Sequence, residues 1–278
     1  MAEITAEMVR DLREATNVGM MECKRALVEA NGDKEKAIRI LRERGMAIAA
    51  KKASRAANQG QIGSAILQDG KVGTLVEVNC ETDFVAKNAN FQQFVRQIAA
   101  RAADVSGDLA EACKDEVTAK ITEIGENIVV RRSAKYTVQG EGLIVSYIHL
   151  GGKVGVLLEL GCTRAETPQA SAFKGLAKDI TLHIAASSPR AVDRTSVPAE
   201  VIASEREIYA KQMQGKPAQI VDKIVDGKMN KFYQQVCLVD QGFVKNPDQS
   251  ITQLMQEKGK ELSDTVTIRR FTRFQVGE

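Results

Sequence analysis

The feature that most constrains this chain is a stretch that occurs twice. Residues 70–81, Gly-Lys-Val-Gly-Thr-Leu-Val-Glu-Val-Asn-Cys-Glu, return as residues 152–163, Gly-Lys-Val-Gly-Val-Leu-Leu-Glu-Leu-Gly-Cys-Thr, with seven of twelve positions identical at an offset of 82. Self-similarity of this kind marks duplicated structural units. The offset carries into the next segment, where Phe91, Phe94, Val95, Ile98 and Ala102 align with Phe173, Leu176, Ala177, Ile180 and Ile184. Both sets follow the spacing of one buried helix face. Upstream, residues 62–67 and 143–148 read as partner strands, and Asp69-Gly70 and Gly151-Gly152 supply hairpin turns. Each half therefore opens strand, turn, strand, helix.

A second match closes each half. Residues 128–138 resemble residues 266–276, with Arg131-Arg132 against Arg269-Arg270, at an offset of 138. The difference of the offsets, 138 − 82 = 56, places an insertion in the second half. The insertion reads as helical: Ser196 is an N-cap before Val197-Pro198, a helix runs toward Gln212, Gly215-Lys216-Pro217 breaks it, and further helices run to about Cys237. The expected fold class is α+β with antiparallel sheets. Residues 56–140 form the first half, and residues 141–278 the second, with a helical hairpin at about 188–240.

Residues 1–55 stand outside the repeat and read as three short helices with a linker. Thr5 caps a helix carrying Met8, Val9 and Leu12; a second carries Met20, Cys23, Leu27 and Ala30; the third buries Ala37, Ile38 and Leu41 and ends at Gly45. Thr16-Asn17-Val18-Gly19 reads as a turn, and Asp33 is placed to cap the third helix. Met20 and Met21 follow the turn directly; they are either adaptable core fillers or an exposed soft contact surface. The net charge of +3 also belongs to this region: residues 24–55 hold ten Lys/Arg against four Asp/Glu, whereas residues 56–278 hold 27 of each sign. An RNA-binding surface is the alternative reading of that excess.

Positions shared by the two halves are explained by their common fold, which accounts for Cys80 and Cys162 as small buried residues and for Glu77/Glu159 and Lys71/Lys153 as structural. Positions where the halves differ carry more information about function. After its second strand the first half has Thr82-Asp83-Phe84-Val85, and the second has Arg164-Ala165-Glu166-Thr167. Thr82 can cap a helix and Asp83 suits its positive end. Phe84 is either stapled to its own core or presented as an aromatic anchor beside an acid. His149 falls at the second hairpin tip, and His183 on the helix with Ile180 and Ile184, as a core-edge residue.

The five cysteines are widely spaced with no Cys-x-x-Cys, and with two histidines no metal site is expected. Gly-Lys occurs five times, never followed by Ser or Thr, so no phosphate loop is present. No catalytic constellation is apparent, no cofactor is expected, and the expectation is an interaction protein, not an enzyme. No uncharged apolar run approaches the ~18–20 residues of a membrane span, and the N-terminus lacks a basic and an apolar signal region, so the expected location is cytoplasmic.

Three groups of residues together resemble one family. They are Gly19-Met-Met-Glu-Cys-Lys24 with Asn31-Gly-Asp33; Glu77-Val-Asn-Cys-Glu-Thr-Asp-Phe-Val-Ala-Lys-Asn88; and Ile124-Gly-Glu-Asn-Ile128 with Arg131-Arg132. The chain is similar over essentially its whole length to the bacterial translation elongation factor Ts family. The resemblance implies guanine-nucleotide exchange on elongation factor Tu. It implies an N-terminal module similar to a ubiquitin-associated (UBA) domain, two core halves, and a hairpin that in some members mediates homodimerisation. By carry-over, Thr82, Asp83, Phe84 and Val85 dislodge the partner's Mg²⁺, with Phe84 as the wedge. Leu12, Met20 and Met21 form the apolar contact of the N-terminal module, and His149 lies in a second contact loop. Longer members continue into a C-terminal helical module, so binding here is expected to rest more on the N-terminal module and core.

Overall fold

In the computed structural model, residues 4–16, 18–213 and 218–278 are described. The element order is α1 (Ala6–Thr16), α2 (Met20–Glu29), α3 (Lys34–Lys52), β1 (Gln59–Leu67), β2 (Val72–Cys80), α4 (Asp83–Lys87), α5 (Ala89–Arg101), α6 (Leu109–Ala112), α7 (Lys114–Ile124), β3 (Val129–Thr137), β4 (Gly142–His149), β5 (Val154–Gly161), α8 (Ser171–Ser187), α9 (Ala199–Lys211), α10 (Ala218–Val236), β6 (Gly242–Phe243), β7 (Asn246–Ser250), α11 (Ile251–Leu262) and β8 (Thr267–Gln275). The fold is α+β, as the pattern of hairpins and terminal strands predicts. Residues 1–63, 76–133 and 276–278 form one compact unit; residues 64–75 and 134–275 form the other. Asn17 and the predicted breaker Gly215-Lys216-Pro217 lie outside the described residues.

The duplication is visible strand by strand. One sheet has the order β1-β2-β3 and the second β4-β5-β8, so in each the terminal strand of a half pairs beside its hairpin. β5 is antiparallel to both β4 and β8. The two hairpin turns are the same structure: Gln68, Asp69 and Gly70 have φ of 51°, 52° and 85°, and Leu150, Gly151 and Gly152 have 50°, 61° and 94°. Three successive residues in the left-handed region explain the glycine at the third position of each turn. Phe91 and Phe173 are fully buried, as their matched helix positions predict; each such side chain contributes ~1.5–3 kcal/mol of burial.

An ion pair between a buried carboxylate and a half-buried arginine repeats as well. Arg132 Nε donates to Glu77 Oε2 at 2.6 Å, and Arg270 Nε donates to Glu159 Oε2 at 2.7 Å. Both carboxylates are fully buried. Glu159 has a second partner, Arg269, whose Nη1 donates to Oε1 at 3.1 Å. In the first half Arg131, the counterpart of Arg269, instead reaches the backbone oxygen of Glu278, and Glu77 Oε1 has no hydrogen-bond partner.

Several elements differ from the sequence expectation. The third helix does not end at Gly45 but continues to Lys52. Gly45 is a packing residue: a β-carbon there would lie 2.8 Å from Thr122 Oγ1 of α7. Ile38 is not buried but 38% exposed; the bundle core is closed by Ala37 and Leu41 with Val9, Leu12, Cys23, Ala26, Leu27 and Ala30. Ser196 is not the N-cap of the inserted helix. It ends a short turn in which Asp193 accepts from its backbone N–H and its hydroxyl, and Pro198 caps α9 instead. His183 is fully buried rather than at the core edge, because its ring is held by Gln241 at 2.9 Å and by the Val244 N–H at 3.2 Å.

The inserted hairpin has its own small core. Val225, Met229, Phe232, Val236 and Cys237 bury against one another with Ala191 and Val197. β6 and α11, which follow it, join the core of the second half through Phe243, Ile251 and Leu254.

Candidate functional site

β2 ends at Cys80, whose side chain is buried and donates to Thr82 O at 3.2 Å. Thr82 then turns the chain into the short helix α4: its hydroxyl accepts from Val85 N at 3.3 Å. Asp83, in the first turn, pairs with Lys87 one turn on at 2.7 Å. The Lys87 ammonium, helped by the free N–H groups of the helix start, holds the Asp83 carboxyl below its usual range. Ala86 faces inward and is buried. Phe84 points the other way and is 82% exposed, the most exposed large apolar side chain among the described residues. Of the two sequence readings of Phe84, the staple is therefore excluded.

The turn is fixed from behind by Glu126. Its Oε2 accepts from the backbone N–H of both Glu81 and Thr82 at 3.0 Å, and its Oε1 accepts from the Thr82 hydroxyl at 2.6 Å. Glu81 answers by accepting from Asn127 N at 2.6 Å; that hydrogen bond first, and the nearby Arg55 and Lys52 charges after it, hold its carboxyl below the usual carboxylate range. Asn127 Nδ2 in turn donates to Arg55 O at 2.8 Å. A clasp of five hydrogen bonds thus joins the start of α4, the loop after α7 and the end of α3. Sequence reasoning noted residues 124–128 only as a family-like motif. The available signal was the second offset: Glu126 aligns with Asp264, since 126 + 138 = 264. Asp264 makes the same clasp, accepting from Thr163 N at 3.0 Å and Arg164 N at 3.1 Å and from the hydroxyls of Thr163 and Thr167. Burial opposes its ionisation, but these donors outweigh that and hold its carboxyl far below the usual range.

In the N-terminal module, Met20 and Met21 open α2 and are 44% and 64% exposed, so neither fills the core. Leu12 differs from the expectation of a surface contact: it is 0% exposed and sits inside the bundle. Part of the basic excess of this region is engaged within the protein. Arg44 pairs with Glu22 and Glu29, Arg42 with Asp115, and Arg55 with Glu81, and Lys52 donates to Gly125 O.

His149 belongs to the other compact unit. It is the last residue of β4, stacked on Tyr147 with ring centroids 5.6 Å apart, and its Nδ1 lies 2.9 Å from the Tyr147 hydroxyl. Leu150 beside it is 68% exposed in a left-handed backbone conformation, one that bulky residues adopt only under constraint. The structure thus groups Thr82–Val85 and Met20–Met21 in one unit and His149 in the other. All five cysteines are free and buried. Among the described residues no group of acidic, His and Cys side chains suits a metal ion, and no helix is long and apolar enough to cross a membrane.

The site is thus of the surface class: exposed apolar side chains, one of them, Phe84, on a hydrogen-bonded frame. Comparison with known proteins gives that class a family. A family model described as elongation factor TS matches residues 81–278. The chain is 41% identical to elongation factor Ts of Trichlorobacter lovleyi, 44% to that of Nitratiruptor sp. and 44% to that of Clostridium novyi; each alignment covers 99% of this chain and 93% of the relative. The chain belongs to the elongation factor Ts family, and its role is that of an elongation factor in translation.

Proposed function

We propose that this protein is a guanine-nucleotide exchange factor for elongation factor Tu, and that Phe84 is its wedge. The observation that carries the reading is the near-complete exposure of Phe84 on a helix start that is otherwise locked in place. A large apolar side chain held in water is unfavourable in the free protein and finds its compensation in a partner's pocket. Thr82 sets the helix start, Asp83 brings a carboxylate beside the wedge, and Val85 flanks it. Together they loosen the partner's Mg²⁺ and thereby its hold on GDP. Met20 and Met21 add a polarizable apolar contact, with Leu12 supporting them from within the bundle, and His149 contributes from the second contact loop. The factor itself turns over no bond.

The physical basis is linkage. Factor and GDP-Mg²⁺ bind the partner with opposed coupling, so each weakens the other; every ~1.4 kcal/mol of that coupling that appears in the release barrier is tenfold in rate. The test is release of a fluorescent GDP from elongation factor Tu with and without this protein. Acceleration that saturates with factor concentration supports the reading, and unchanged release at saturating factor defeats it. An RNA-binding role for residues 24–55 is disfavoured by the internal pairing of Arg42, Arg44, Lys52 and Arg55.

A further inference from the structure

We infer that Glu126 is a positioning residue for exchange, acting through the Thr82–Val85 turn, and that the clasp it forms with Glu81, Asn127 and Arg55 presents Phe84 and the N-terminal module as one rigid surface. The inference rests on the exchange reading above.

Phe84 makes little contact with its own fold, so its direction is set by the backbone beneath it. That backbone is held by three hydrogen bonds that one carboxylate accepts: two from the N–H groups just after β2 and one from the Thr82 hydroxyl. The same hydroxyl caps α4. Glu126 thus polarises and orients the group that starts the helix bearing Phe84. Charge-assisted hydrogen bonds are the strong ones, and three on one group fix position as well as energy.

The loop that carries Glu126 also holds the N-terminal module. Lys52 donates to Gly125 O, and Asn127 reaches Arg55 O at 2.8 Å. Lys52 is the last residue of α3 and Arg55 follows three residues on; the middle of α3 packs through Gly45 on α7. Residues 125–127 therefore tie the end of the module that carries Met20 and Met21 to the turn that carries Phe84. A pre-organised surface of this kind spends less of its contact energy on ordering itself.

The repeat separates positioning from architecture. Asp264 makes the equivalent clasp beneath residues 163–167, but the position of Phe84 is there occupied by Glu166 (84 + 82 = 166). A clasp needed only for folding would matter alike in both halves. One needed to aim Phe84 matters for exchange in the first half alone.

The experiment compares Glu126→Ala, Glu126→Asp and Asp264→Ala in saturation curves of GDP release, with thermal unfolding recorded for each. The expected result is a fall of roughly tenfold in the maximal release rate for Glu126→Ala, a smaller shift in the half-saturating concentration, and recovery of much of the rate by Glu126→Asp, because an aspartate performs this task at residue 264. Asp264→Ala is expected to lower the unfolding temperature with maximal release within about twofold of the starting protein. Since the chain has no Trp, Phe84→Trp introduces a single reporter, whose fluorescence anisotropy is expected to fall when Glu126→Ala is added. Thr82→Val, which removes one hydrogen bond of the clasp and the cap, serves if Glu126→Ala does not fold. Maximal release equal to that of the starting protein in Glu126→Ala or Thr82→Val, or equal losses in Glu126→Ala and Asp264→Ala, overturns the inference. Failure of the unsubstituted protein to accelerate release overturns the exchange reading instead.

Discussion

The guanidinium of Arg269 lies across Gly161, where a β-carbon would come within 2.6 Å of its Cζ. The side chain is held there at two ends, by Glu159 at 3.1 Å and by the backbone oxygen of Glu141 at 2.7 Å. In the first half the residue aligned with Gly161 is Asn79 (161 − 82 = 79), which is buried with both side-chain polar atoms unpartnered. A side chain at this position and an inward guanidinium are mutually exclusive: one half has each. Gly161→Ala is therefore expected to destabilise the protein by about 1–3 kcal/mol through overpacking of a pinned group. In an Arg269→Ala background the same substitution is expected to cost much less. A double-mutant cycle in chemical denaturation measures the difference; additive costs would refute the steric account.

Much of this architecture was legible in the chain because the duplication supplied two readings of every element. Turns, strand pairs, helix faces and the buried acids Glu77 and Glu159 all recur at fixed offsets. What escaped was set by contacts between segments distant in sequence. Gly45 reads as a helix stop, and only the approach of Thr122 makes it a helix interior. Leu12 and Met20 each fit the apolar pattern of their own helix, and only the bundle decides that Leu12 is inside and Met20 outside. Exposure of Phe84 was likewise undecidable locally, since a capped helix start accommodates a stapled aromatic as readily as a free one.

Acid sensitivity is expected from His183. Its ring is buried, with Nδ1 accepting from the Val244 N–H and Nε2 facing Gln241 Oε1, an arrangement that requires the neutral tautomer with its hydrogen on Nε2. Burial lowers its pKa, and the Gln241 bond offsets this only in part. The unfolded chain then binds the proton more readily than the folded one. The contribution of this residue to stability is full above the unfolded value of ~6.5 and is lost as pH falls from there toward the lowered folded value, at up to about 1.4 kcal/mol per pH unit. Denaturation curves between pH 7.5 and 5 are expected to show this slope, and His183→Gln to flatten it. An unchanged slope in that variant would locate the sensitivity elsewhere.

The thiols are expected to be inert in the folded protein. All five are buried, and burial chiefly, with Asp240 nearby, pushes Cys237 up to about 11. At pH 8 that leaves about one thiolate in a thousand. A thiol reagent that gives colour on reaction is expected to label none of the cysteines rapidly until denaturant is added, and then all five. Fast labelling of Cys237 in the native state would contradict its placement in the hairpin core.

The surface reading makes its sharpest demand on Phe84 and Met21, because neither substitution should disturb the fold. Both side chains are mostly in solvent, and exposed positions away from caps and cores usually change stability by no more than about 0.5 kcal/mol. Phe84→Ala removes the proposed wedge and leaves Thr82, Asp83 and the clasp in place. Its maximal GDP-release rate is expected to fall by at least tenfold, with an unfolding curve superimposable on that of the starting protein. Met21→Ala removes exposed apolar area on the N-terminal module and is expected to raise the half-saturating concentration of factor by roughly threefold to tenfold, the scale of ~1 kcal/mol of lost apolar contact, while leaving the maximal rate nearly unchanged. The two signatures separate grip from action within one exposed surface. If Phe84→Ala changed only the half-saturating concentration, the residue would be an anchor like Met21 and the release step would have to be assigned elsewhere, with Asp83 the next group to replace.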